Sequence, residues 1–105
     1  MIEVIRTAIK TRQQLAFFAN GHQREFCPHV FGHNRHGKLH LFGWQFGGSS
    51  NTPLRKETDR WRCFDLNQIS NLSARDGQWY AGVTVGGQGH SRCITRIDTS
   101  IMQAP

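Results

Sequence analysis

Residues 22–46 constrain the fold of this chain more than any other stretch. They read HQREFCPHVFGHNRHGKLHLFGWQF, which is two apolar and aromatic runs joined by a polar, glycine-containing turn at 31–37. In the second run, 38–46, apolar and aromatic residues fill the centre of both sides of the alternation, as expected of a strand in a small, strongly curved sheet. Gly43 stands in its middle and predicts a bend or a close backbone approach. The segment predicts two strands at the heart of a β-rich fold.

A helix and a tight hairpin precede this segment. In 2–12, isoleucines recur at helical spacing with charged residues opposite, which predicts a short amphipathic helix. Residues 14–19 change to a period of two and predict a strand. Asn20-Gly21 follows, and this pair favours a type I′ turn because both central residues need positive φ. The returning strand, 22–28, is predicted to end at Pro28 or to lie at a sheet edge, since proline donates no ladder hydrogen bond.

The rest of the chain continues the β pattern. A polar loop is predicted at 47–58 and a strand at 59–66. Residues 67–73 predict one helical turn leading into a final strand of the sheet. From Asp76 onward, 78–85 and 92–97 predict a second hairpin with a glycine-rich tip between them.

Length and charge bound the function. A chain of 105 residues is enough for one domain with a single modest core. Its formal net charge is +6, and such an excess attracts anions, so nucleic acid or an anionic ligand leads the expected partners. The alternative is a protein whose charge serves only solubility.

The cysteines and the hydropathy pattern favour a reducing cytoplasm. Cys27, Cys63 and Cys93 are widely spaced and odd in number, which is a poor disulfide framework. Cys63 and Cys93 fall within apolar alternation and are predicted to be small core residues. The N-terminus lacks the pattern of a secretory signal, and no apolar run is long enough to span a bilayer. We therefore expect no membrane partner.

The order of these elements resembles the WYL domain. That family has an Ala-Ile helix, an aromatic-ended strand, an Arg-x-x-x-Pro strand, a Gly-x-Trp-Tyr-Leu strand and an Arg-x-Phe-x-Leu-x-x-Ile segment. The resemblance covers residues 2–72, and its weight lies in order and spacing because each motif alone is weak. The matching stretches are Ala8-Ile9, Leu15-Ala16-Phe17-Phe18, Arg24 to Pro28, Gly37 to Leu41 and Arg62 to Ile69.

The resemblance implies a mainly β fold, with an N-terminal helix and a Sm-like small barrel in residues 1–75. The second hairpin, within 76–105, lies outside it and is expected to pack on the same domain. The resemblance also implies a ligand-sensing, non-enzymatic module of bacterial transcription regulators. Because the chain shows no helix-turn-helix, we expect a partner, or another copy of the chain, to supply any DNA-binding part.

The resemblance also implies a binding face for a nucleotide or single-stranded nucleic acid. Arg24 and Arg62 match the family's recurrent arginines, and His40 occupies the place of its tyrosine. Leu39 replaces the name-giving tryptophan, and Gln68 replaces a second arginine, which weakens the basic cluster. The predicted ligand-binding residues are Arg24, His40, Arg62, Lys38, Arg60 and Gln68.

A guanidinium fork matches phosphate oxygens, and a ring beside it can stack on a base. The alternative is structural, with Arg24 and Arg62 pairing with Glu25, Asp59 or Asp65, or covering aromatic rings.

Other site types find less support. The cysteine and histidines at 27, 29, 33, 36 and 40 are zinc ligand types, but their spacing matches no known finger, so no metal or other cofactor is predicted. The acids are scattered, and no thiol is set beside an imidazole by a third group, so no catalytic residues are predicted.

A final alternative to ligand binding is a protein-protein or self-assembly module that uses the second hairpin and the barrel edge. Trp79 and Tyr80 are its anchors, because such residues are enriched at buried contacts. Their packing onto the chain's own barrel is the other reading, and the sequence leaves both open.

Overall fold

The computed structural model describes residues 1–51, 54, 60–82 and 93–98. Within these ranges the fold is mainly β, as predicted, with one helix and six strands in a single sheet. A short 3₁₀ helix, Leu66–Gln68, joins the fourth strand to the fifth. The elements are α1 (Ile2–Thr11), β1 (Gln14–Ala19), β2 (His22–His33), β3 (Leu39–Gly48), β4 (Trp61–Asp65), β5 (Ile69–Arg75) and β6 (Arg96–Ile97).

The strands pair antiparallel in the order β4-β3-β2-β1-β5, and β6 pairs with the far end of β2 at Gly32 and His33. The predicted hairpin between β1 and β2 is confirmed. Asn20 and Gly21 have φ of 52° and 78°, the two positive angles that a type I′ turn needs. This turn fixes Phe17 opposite Arg24, so the side chain of Arg24 lies on the same face of the sheet as the buried Phe17.

β2 continues past Pro28, so the predicted strand end there is wrong. The pairing of β2 with β3 shifts register between Pro28 and Val30, and prolines within sheets are found at such bulges. The close approach predicted at Gly43 is confirmed. A Cβ atom there would collide with the carbonyl oxygen of Cys27 and with the ring of Phe26.

The core lies between α1 and one face of the sheet, the inner face. The helix buries Ile5, Ala8 and Ile9 there, as its spacing predicts. Three aromatic residues meet on this face in edge-to-face pairs, with ring centroids 5.3 to 5.6 Å apart: Phe17, Phe26 and Phe64. Phe42 lies on the opposite, outer face and stacks on Trp61 at 5.1 Å.

The C-terminal hairpin prediction is wrong for the residues that can be described. Residues 78–82 form no strand, and β6 pairs with β2 instead. The stretch 76–82 runs across the outer face. The ring centroids of Trp79 and His29 lie 4.9 Å apart there, and Tyr80 stacks on Phe46 with their centroids 4.7 Å apart. Burying these two rings against a face that already carries aromatic side chains outweighs the local strand preference. Residues 83–92, including the glycine-rich tip, lie outside the described ranges, as does half of the loop predicted at 47–58.

The prediction for the cysteines is also wrong. Cys63 of β4 and Cys93 form a disulfide, with their Cα atoms 6.5 Å apart. Their separation of 30 residues gave no local pattern, and only the fold brings them together. The bridge fastens β4 to the segment 93–98. Cys27 is a buried free thiol.

Candidate functional site

Arg24 is the most deeply buried charged residue in the described part of the sheet. Only 3% of it is exposed, although it belongs to a residue type that is rarely buried. Its Nη2 donates to the carbonyl oxygen of Ala19 at 2.9 Å, and its Nη1 donates to Oε1 of Gln45 at 3.2 Å. The guanidinium lies over the Phe64 ring, 5.0 Å from its centroid. These contacts place the cation at one end of the inner face, above the aromatic core.

Gln45 holds this end of the sheet together. It is fully buried, and its Nε2 donates to the carbonyl oxygens of Gly47 and Ser49, both at 3.0 Å. With Oε1 turned to Arg24, the amide uses both its donor and its acceptor side. A buried amide satisfied in this way keeps its position, so it fixes the guanidinium of Arg24 as well.

Arg62 of β4 lies close enough to Arg24 for the two charges to interact. Burial first, and then the positive charge of Arg62, lower the pKa of the Arg24 guanidinium. The register explains the approach, because Arg62 lies opposite Gly43, two residues along β3 from Gln45. Arg24 forms no salt bridge within the part of the chain that the structure describes, and its Nε is buried without a hydrogen-bond partner there.

Arg60 completes the group just before β4. Its Nη1 donates to the carbonyl oxygens of Gln45 at 3.2 Å and of Phe46 at 3.4 Å. Arg60 and Arg62 are half-buried, in contrast to Arg24. We call Arg24, Gln45, Arg60 and Arg62 the arginine cluster. It combines two half-buried arginines with a third that is fixed and buried.

Three of the predicted site residues lie away from this cluster. Arg24 is opposite Gly48, whereas His40 is opposite Gly32, so eight residues of β3 separate them. His40 also follows the alternation onto the face opposite the buried Leu41. The sequence suggested that Arg24 and His40 share one surface, but the strand register does not bring them together.

Lys38 and Gln68 have other positions. Lys38 is exposed in the turn between β2 and β3, and its carbonyl oxygen contacts Nδ1 of His40 at 3.1 Å. Gln68 closes a capping box on the 3₁₀ helix, accepting from the backbone N–H of Asp65 at 3.1 Å. The residue that replaces an arginine of the WYL pattern thus has a structural role here.

The acids that were predicted as alternative partners of the arginines are engaged elsewhere, so far as they are described. Glu25 pairs with Arg75 at 2.6 Å. Asp65 accepts from the backbone N–H of Asn67 at 2.9 Å. Asp59 lies outside the described residues. The other structural reading of Arg24, as a cover for an aromatic ring, describes its contact with Phe64.

On the outer face, aromatic rings hold the stretch 76–82. His29 contacts the carbonyl oxygen of Tyr80 through Nε2 at 3.0 Å and lies between Trp61 and Trp79. Burial lowers the pKa of His29. The backbone N–H of Tyr80 donates to Sγ of Cys27 at 3.4 Å, and burial raises the pKa of that thiol. Of the two readings of Trp79 and Tyr80, the structure shows packing within the chain.

The described residues contain no group of three or more His, Cys, Asp or Glu side chains placed to hold a metal ion. Cys27 and His29, two of the zinc candidates, are instead engaged with the stretch 76–82.

Sequence reasoning missed Gln45 and the disulfide. One signal for Gln45 was present, because a lone amide ends the inner alternation of Leu39, Leu41 and Gly43. A polar residue in a buried row predicts a buried polar partner.

Comparison with known protein families, curated proteins and solved structures finds no match to this chain. No helix in the ranges that the structure describes has the length and apolar character needed to cross a membrane.

Proposed function

We propose that this chain is a non-enzymatic, WYL-like binding module that recognises an anionic ligand at the arginine cluster. The observation that carries the proposal is the approach of Arg62 to the buried Arg24, whose charge has no acidic partner among the described residues. The ligand class is a nucleotide or a single-stranded nucleic acid. Its phosphate would contact Arg62 and Arg60, while Arg24 acts from behind them.

Electrostatics favours an anion at this position. Two like charges near each other raise the free energy of the folded protein, and burial strengthens their repulsion because water screens it less. A phosphate placed before Arg62 would offset this repulsion. Guanidinium groups also match phosphate oxygens with paired, charge-assisted hydrogen bonds. Arg24 has 3% exposure and serves as a fixed source of positive potential, not as a direct contact.

The proposal includes closure of the sheet into a Sm-like small barrel, with β4 and β5 as the strands that meet. Its support is the strand order, in which β4 and β5 stand at opposite ends of the sheet while only the 3₁₀ helix separates them in sequence. Register shifts in the β1–β5 and β2–β3 pairs favour strong curvature, because bulges bend and twist a sheet.

The proposed setting follows the resemblance: a regulatory module in the bacterial cytoplasm, with a partner or a second copy supplying DNA binding. Cytosolic thiols are normally reduced, so Cys63 and Cys93 would be bridged there only under oxidising conditions. Alkylation of free thiols in freshly lysed cells, read by mass spectrometry, would test the setting. A fully bridged pair in untreated cells would contradict a reducing compartment.

The test of binding uses a fluorescent nucleoside triphosphate and three variants, Arg62→Gln, Arg60→Gln and Arg35→Gln. Each variant removes one positive charge, and the third does so in the exposed turn at the other end of β3. The proposal predicts that Arg62→Gln weakens binding by about tenfold or more, since hydrogen bonds to charged groups contribute about 1.5–3 kcal/mol. Arg60→Gln should follow it, and Arg35→Gln should change the affinity by less than about twofold, because exposed distant charges are screened.

Equal losses in all three variants would reduce the effect to net charge and overturn the proposal. Absence of binding by the wild type at low salt would overturn it too. Should sedimentation then show a stable dimer, the assembly alternative would take its place, although Trp79 and Tyr80 pack within the chain.

A further inference from the structure

The turn between β2 and β3 carries a second concentration of positive charge. Between His33 and His40 the chain has no acidic residue, and β6 adds a further cation to this end of the sheet. We call this group the basic tip. Its members are His33, Arg35, His36, Lys38, His40 and Arg96.

The tip is a fixed structure in the described part of the chain. Oδ1 of Asn34 accepts from the backbone N–H groups of His36 and Lys38, both at 2.9 Å. The backbone of Asn34 also bonds to Lys38 and Gly37, which closes the turn. β6 places Arg96 beside His33 in the sheet register. The charged side chains therefore project from a backbone that needs little further ordering on binding, which lowers the entropic cost of recognition.

The acidic side chains that can be described make contacts outside the tip: Glu3 and Asp98 with Arg6, Glu25 with Arg75, Asp65 with the 3₁₀ cap and Asp76 with Gln13. Arg35, His36, Lys38 and Arg96 are exposed. The tip is thus a local excess of positive charge, separate from the arginine cluster.

We propose that the basic tip binds the phosphate backbone of nucleic acid. The inference goes beyond the proposed function, since it uses a different surface and does not need a ligand at the arginine cluster. A polyanion is the partner that an exposed row of cations fits, because each phosphate contact releases counterions.

Nucleic acid fits the tip better than an anionic membrane does. Peripheral membrane binding combines basic residues with apolar side chains that enter the lipid, and the tip residues are polar. Guanidinium and imidazole groups can also stack on exposed bases. A two-stranded β-ribbon, moreover, is narrow enough to enter the major groove of duplex DNA.

The experiment measures the affinity of the full chain for a fluorescent oligothymidylate over a salt series. The tip variant is R35Q/K38Q, and the matched control is K10Q/R12Q, which removes two exposed charges from the helix end. Circular dichroism checks that each variant folds.

The proposal expects R35Q/K38Q to make the slope of log affinity against log salt shallower by about 1.4 and to weaken binding roughly 20-fold near 0.1 M salt, from about 0.7 per phosphate contact. K10Q/R12Q should lose much less.

Equal losses in the tip variant and the control would overturn the proposal. Binding to anionic vesicles without binding to the oligonucleotide would overturn it in favour of a membrane. Since Arg62→Gln leaves the tip intact, loss of nucleotide binding in that variant alone leaves this inference standing.

Discussion

The two ends of β3 carry the same kinds of side chain in opposite environments. At one end Arg24 is 3% exposed, lies over the Phe64 ring and is held by the amide of Gln45. At the other end Arg35 and Lys38 project into solvent from a closed turn. About 27 Å of strand separates His40 from Gly48, the residue opposite Arg24. A single figure of net charge, +6, therefore describes two different surfaces.

The difference shows which charges can be specific. A buried guanidinium has one position, and removing it leaves buried acceptors unsatisfied, so its role is coupled to folding. An exposed guanidinium is screened by salt and contributes to long-range attraction more than to stability. We infer that the arginine cluster would select a ligand, whereas the basic tip would attract a polymer.

The largest expected change in stability comes from removing the Cys63–Cys93 disulfide. This bridge joins β4, which carries Arg62, to the segment that carries Arg96. We predict that C63S/C93S lowers the free energy of unfolding by about 3–4 kcal/mol, because a bridge across 30 residues restricts the unfolded chain. Urea denaturation would measure it, with the wild type plus reductant as the matched sample. Identical midpoints for the oxidised and reduced wild type would show that the bridge adds no stability.

Arg24→Ala comes next and separates the two ends by stability. We predict a loss of about 3 kcal/mol, because the change leaves a cavity over Phe64 and removes the donors to Ala19 and Gln45. The matched control is Arg35→Ala, expected to stay within about 0.5 kcal/mol as an exposed substitution. Thermal and urea unfolding would measure both, and equal stabilities would contradict the structural difference between the two ends.

Gln68→Ala tests whether this residue belongs with the arginines or with the fold. It should cost about 1 kcal/mol in the free energy of unfolding, the usual cost of losing a cap, and leave nucleotide affinity unchanged. Asn67→Ala is its control, since only the backbone N–H of Asn67 takes part in the cap. A loss of nucleotide affinity without a loss of stability would show that Gln68 belongs to the binding face.

The smallest effect concerns the pH dependence of stability. Burial lowers the folded-state pKa of His29, so the unfolded chain binds its proton first as the pH falls. The stability that neutral His29 contributes is therefore present above the ordinary histidine range and is lost as the pH drops from that range toward the lowered value. In His29→Asn the decline in stability from about pH 7 to pH 5 should be shallower.

Urea unfolding at several pH values would measure this decline. His36→Asn, at an exposed position in the basic tip, should leave the decline as steep as in the wild type. A decline that is unchanged in His29→Asn, or flattened equally by both substitutions, would contradict the assignment to His29.

Much of the fold follows from local pattern. The helix, β1 and the Asn20-Gly21 turn were predictable because spacing and backbone preference act over a few residues. Alternation separated the two faces of β3 but did not show which one is inward, because apolar residues occupy the centre of both. The core positions of Phe17, Phe26 and Phe64 followed from their size.

The rest depends on contacts between distant residues. Cys63 and Cys93 carry no spacing pattern, and their bridge exists because the fold brings β4 beside residue 93. Residues 78–85 have the sequence pattern of a strand. Trp79 and Tyr80 instead pack on the aromatic outer face, which buries their rings better than a strand would. For the site, sequence order correctly marked Arg24 and Arg62 as neighbours. It also grouped them with His40, which lies toward the other end of β3. A sequence pattern gives the order of residues and not the distances between them in the sheet.

The most direct test of the central claim is a map of backbone amide chemical shifts in the ¹⁵N-labelled protein during titration with a nucleoside triphosphate. The account predicts that the perturbed amides cluster at 45–49 and 60–62, around Gln45 and the half-buried Arg60 and Arg62, while 34–38 stay unchanged. Perturbations centred on 34–38, or spread evenly over the exposed cations, would contradict a specific anion site at the arginine cluster.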